Sequence, residues 1–117
     1  MMSLNSKKVY FTGDSLPIGI QLRTGVDPEP ITDGSTVTVG FVANKRSREL
    51  LAGPWNAIAA TPGAQWSTGK IVVAIPGADT EALDPQSALV EVQVVTGANK
   101  LTYRSKSWFW LEKGALP

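Results

Sequence analysis

The chain has 117 residues, 43% of them hydrophobic, which suits one domain with its own core. Eleven Lys and Arg against ten Asp and Glu leave a formal charge of +1, so no strong field draws it toward nucleic acid or an anionic membrane. Histidine and cysteine are both absent, which excludes Ser-His-Asp triads, Cys-His pairs, imidazole or thiolate metal sites and disulfides.

Residues 1–8 carry the basic pair Lys7-Lys8 after the few apolar residues, and no apolar segment follows, so they are not a secretory signal. They read as a flexible arm that orders on docking, at the start of a single domain over 1–117. The apolar runs are strand-length, short of the roughly 20 residues that span a bilayer. A soluble chain made in the cytoplasm is expected.

Alternation of period two then recurs along the chain, and it argues for an all-β fold. Val9 and Phe11 share one face of a short first strand, which Gly13-Asp14 turns into the run 15–23. There Leu16, Ile18, Ile20 and Leu22 alternate with Pro17, Gly19, Gln21 and Arg23. Pro17 lacks a ladder donor and Gly19 offers no packing surface, which predicts a sheet edge or an initial bulge. Residues 24–34, rich in Pro, Gly and Asp, form a connecting loop. The run 35–43 follows, with Val37, Val39, Phe41 and Ala43 inward and Thr36 and Thr38 outward.

Residues 44–54 read as a polar and basic loop, and 55–61 as a weak strand. Pro62-Gly63 and Ser67-Thr-Gly69 bracket Trp66. Gly69-Lys-Ile-Val-Val-Ala-Ile-Pro76 sets Ile71, Val73 and Ile75 against Lys70 and Ala74. One short helical turn is predicted at Asp79–Leu83, with Asp79 as its N-cap and Pro85 preventing continuation. Two strands follow, 87–96 and 100–112, joined by Gly97-Ala-Asn99. About seven short strands separated by turn residues match a two-sheet antiparallel sandwich, with a small closed barrel as the competing architecture.

Chemistry-bearing patterns are sparse. Asp14, Asp27, Asp33, Asp79 and Asp84 each stand beside Gly, Pro or Thr, where Asp builds turns and caps. No glycine-rich loop opens a helix, so nothing cradles a phosphate or a dinucleotide, and neither a cofactor nor a metal site is expected. Lys45-Arg46-Ser47-Arg48 is the densest charge, but it lacks the aromatic platforms of a nucleic-acid reader. It reads as a solvated loop or a salt-bridging contact to a neighbouring subunit. Trp108 and Trp110 share one face of the last run and Phe109 and Leu111 the other, so both faces are apolar at that end. One of them must meet a covering loop carrying Trp55 or Trp66, a sugar ring, or another protein.

The segments Gly69 to Pro76, Ala78-Asp-Thr-Glu-Ala-Leu83 and Leu89-Val-Glu-Val-Gln-Val94, with the closing run 100–112, resemble the immunoglobulin-like domains of tailed-bacteriophage virions. Gly13-Asp-Ser-Leu-Pro-Ile-Gly-Ile-Gln-Leu22 is similar to the start of the second strand in that group, and the N-terminal domain of upper baseplate proteins is its nearest member. The resemblance spans nearly the whole chain. In that family the domain docks a longer protein onto the virion, and the parts that meet the host lie further along. Here Pro117 is the last residue, and Pro85-Gln-Ser-Ala88 stands where many such domains open the sixth strand with glycine and an aromatic residue.

The resemblance implies a non-enzymatic accessory subunit of the baseplate, tail, neck or capsid surface, assembled in the host bacterial cytoplasm. Its implied partners are other virion proteins and further copies of itself in a ring or array, with neither nucleic acid nor membrane. The interface candidates are Trp108, Trp110, Trp55, Trp66, Lys45, Arg46 and Arg48. Two other classes compete. A carbohydrate-binding module would set the four tryptophans as a flat platform for a host glycan, and a carboxylate enzyme would hold two of Asp79, Glu81 and Asp84 in one cleft.

Overall fold

The computed structural model describes residues 2–4 and 9–115. The arm expected over 1–8 lies outside the described residues except for Met2–Leu4. That segment is strand β1, paired antiparallel with Ile20 to Leu22.

The strands follow the alternating runs. They are β2 (Val9–Thr12), β3 (Leu16–Thr24), β4 (Asp27–Pro28), β5 (Thr36–Ala43), β6 (Leu50–Ala57), β7 (Lys70–Ile75), β8 (Gln86–Thr96), β9 (Asn99–Arg104) and β10 (Phe109–Lys113). They form two sheets. In the smaller, β3 pairs with β1, β4 and β7; in the larger the order is β2-β10-β8-β5-β6, with β9 also on β8. The fold is an all-β, two-sheet sandwich. The strands exceed the expected seven because β1 and β4 are short additions and the closing run divides in two.

Alternation decides what is buried. Ile20, Leu22, Ile71, Val73 and Ile75 face inward from the smaller sheet. They meet Val37, Val39, Phe41, Val90, Val92 and Leu111 from the larger one. Phe41 is the hub, with Tyr10, Trp55 and Phe109 set edge-on at centroid distances of 5.5, 5.0 and 4.8 Å. Edge-on pairs place the positive rim of one ring on the negative face of the next, adding about 0.5–1.5 kcal/mol each beyond burial.

Three local expectations change. β3 is not an edge strand, because Ile20 and Gln21 pair with β1 on one side and β7 on the other. Pro17 is accommodated because the Leu22 N–H points to β7, toward Gly69 O. Ladder alternation then turns position 17 to the opposite side, beyond the reach of β1. A strand, not a loop, begins at Leu50, and the Gly53–Pro54 peptide is cis. Among the described residues β6 pairs only with β5, through register shifts near Phe41, and an irregular edge strand tolerates proline. The turn after β7 is a 3-10 turn at Gly77–Asp79, and a second one covers Trp66–Thr68. Asp79 ends its turn and is not the N-cap; its carboxylate instead accepts the Trp55 indole N–H at 2.8 Å.

Candidate interaction surface

The run 100–112 is broken at Ser105, and the break creates the surface. Ser105 is buried; its N–H donates to Val90 O at 2.9 Å, and its Oγ accepts the Val90 N–H at 3.0 Å. A hydroxyl thus replaces one carbonyl of the ladder, and the chain leaves β8 for 106–108 before β10 rejoins it. Phe109 then lies opposite Ala88 and Trp110 opposite Ser87.

β2 adds to the other side of β10 in parallel, with Val9 beside Trp110, Tyr10 beside Leu111 and Phe11 beside Glu112. Neighbours in register share a face. Tyr10, Phe109 and Leu111 enter the core, so Val9, Trp110, Phe11 and Glu112 face out. Val9 is 39% exposed, Phe11 42% and Trp108, just before β10, 57%. Trp110 is half-buried, and its indole N–H donates to the Glu112 carboxylate at 3.1 Å. The outcome is an apolar face built on two strands.

Trp55 and Trp66 do not belong to it. Both are buried in the core, Trp55 against Phe41 and Asp79, and Trp66 in the turn whose carbonyl accepts the Ile31 N–H. They are therefore removed from the exposed set, because their positions alternate inward or close a turn over the core. A sugar platform would retain only Trp108 and Trp110.

Lys45, Arg46 and Arg48 lie in the exposed β5–β6 loop. The Asn44 N–H donates to Ser87 O, so this loop starts beside the same stretch of β8 that carries Trp110. The basic loop and the tryptophan strand thus share one end of the sandwich. Lys45 pairs with Glu49 at 3.4 Å, Arg48 donates to the Lys45 carbonyl, and Arg46 has no ion-pair partner among the described residues. The exposed Lys45–Glu49 pair contributes little to stability. Arg48 also borders a shallow groove of about 240 Å³ on the outer sheet face, with Leu50, Glu91 and Gln93.

Among the described residues no three acidic side chains gather as a metal site. Of Asp79, Glu81 and Asp84, the first is engaged by Trp55. Sequence reasoning placed Val9 and Phe11 on one face but gave them no role. Their partner is a parallel strand about 100 residues away, a pairing without local signal. Compared with known proteins, the chain matches no family model and no curated protein.

Proposed function

We propose that the chain is a non-enzymatic structural subunit of a tailed-bacteriophage virion, held among other virion proteins by the outer face of β2 and β10. The observation that carries this reading is the apolar outer face of Val9, Phe11 and Trp110 on β2 and β10, with exposed Trp108 immediately before β10. Exposed aromatic side chains grouped on one face mark protein contacts, and tryptophan is enriched where binding energy concentrates. The basic loop 44–49 at the same end supplies a polar rim.

The immunoglobulin-like resemblance of the sequence supplies the virion context, and the two-sheet sandwich is compatible with it. Assembly would occur in the host bacterial cytoplasm, and the symmetry of the particle would set an array of copies. Mechanistically the subunit acts by burying surface and needs no bond-making group. The test is density-gradient sedimentation of particles from a lysate of the bacterium that encodes the chain, probed with an antibody to it. Co-sedimentation with tailed particles supports the reading, and confinement to the soluble fractions overturns it.

A further inference from the structure

β9 pairs with β8 through six consecutive residues, Asn99–Arg104, and among the described residues no strand pairs with its other side. Because the Ser105 N–H points to Val90 O, ladder alternation turns the N–H and C=O groups of Asn99, Leu101 and Tyr103 toward β8. Those of Lys100, Thr102 and Arg104 face outward. The opposite edge of the same sheet, β6, is disturbed by register shifts, whereas β9 is regular throughout.

A cavity of about 230 Å³ lies beside this edge, bordered by Ile31, Val94, Leu101, Tyr103 and Glu29. Leu101 pairs with Val94, which is buried, yet remains 55% exposed. On the inner side of β9, Tyr103 packs against the core while Leu101 stays largely exposed at the cavity. We propose that the open edge of β9 is a strand-addition site for an extended segment of a partner chain that alternates apolar and acidic residues.

An added strand would lay every second side chain beside Leu101 and Tyr103, over the cavity. Apolar groups fit there, because an acidic one would meet Glu29; burial first, and then the Glu29 charge, raises the Tyr103 phenol pKa. The alternate side chains would stand with Lys100, Thr102 and Arg104. Arg104 is held by Glu91 at 2.7 Å, while Lys100 has no ion-pair partner among the described residues. A second copy is the wrong occupant. Antiparallel β9–β9 pairing centred on Thr102 would set Lys100 against Arg104, whose charge Glu91 already holds, so a second copy brings Lys100 no free counter-charge. A partner with an acidic side chain beside Lys100 meets complementary charge.

This site deepens the binding-subunit reading but does not use the Trp108 face. The test is amide hydrogen exchange by NMR on the full chain, with a capped synthetic heptapeptide of alternating Glu and Val as probe. In the free chain the Lys100, Thr102 and Arg104 amides should exchange quickly, and those of Leu101 and Tyr103 slowly. The peptide should slow the first three at least tenfold, and a Lys-and-Val version should bind at least tenfold more weakly. Thr102→Pro removes the outward N–H without touching the β8 ladder, so it should abolish protection at an unchanged Tm. Should it fail to fold, Leu101→Glu should abolish protection by putting an acid beside Glu29. Unchanged exchange at saturating peptide, protection confined to the Trp108 face, or equal binding of both peptides would overturn the proposal. Particle co-sedimentation does not read β9, so failure here with co-sedimentation intact separates the two readings.

Discussion

Trp55 and Trp66 are both buried, but only Trp55 has a partner for its indole N–H; Trp66 Nε1 has none among the described residues. Truncation to phenylalanine removes similar volume at each, so the difference reads the bond to the Asp79 carboxylate together with the relief of the unpaired Trp66 N–H. Trp55→Phe should be more destabilising than Trp66→Phe by about 1.5–3 kcal/mol, the range for hydrogen bonds to charged groups, read from urea unfolding. Equal losses would show that the Asp79 bond adds no stability. Tyr10 gives a pH dependence. Burial pushes its phenol above 10.0, a hydrogen bond with Thr80 lowers it, and the nearby Asp14 raises it. The folded state thus favours the neutral phenol, so the stabilisation is complete below pH 10 and is lost as pH rises through the raised value. The urea midpoint should fall as pH rises above 10.0, and Tyr10→Phe should flatten that fall; an unchanged slope would place the titration elsewhere. Trp55 and Tyr10 lie on strands, yet Asp79 and Thr80, which meet them, come from a distant turn.

At the scale of elements, alternation was legible and pairing was not. The inward faces of β5 and β7, and Ile20 and Leu22 of β3, agree with the sequence pattern, because a one-residue slip would put these apolar side chains into solvent. Ser105 shows the limit. The run 100–112 alternates without a visible interruption, and only the Val90 backbone reveals why it divides into β9 and β10. Ser105→Ala leaves the buried Val90 N–H without its acceptor and should destabilise the fold by about 1–3 kcal/mol. The same variant should speed exchange of the Val90 amide, and an unaffected amide would mean that the hydroxyl is dispensable. Trp108 and Trp110 were found as candidates from composition and register. Val9 and Phe11 were not, because β2 joins β10 from the other end of the chain.

For the whole molecule, the core of the sandwich is aliphatic and aromatic, and the residues around Trp108 leave an exposed apolar face. The central claim is that this face holds the subunit in the particle. Phe11 and Trp108 are both exposed, so serine at these positions should leave the Tm within a few degrees, as surface substitutions do. The most direct measurement is the copy number of wild-type chain and of Phe11→Ser/Trp108→Ser chain in gradient-purified particles, assembled with each in turn and quantified by mass spectrometry. The account predicts wild-type chain in every particle preparation and at least a tenfold loss of the folded variant. Equal incorporation of the two, or the absence of both, would contradict it.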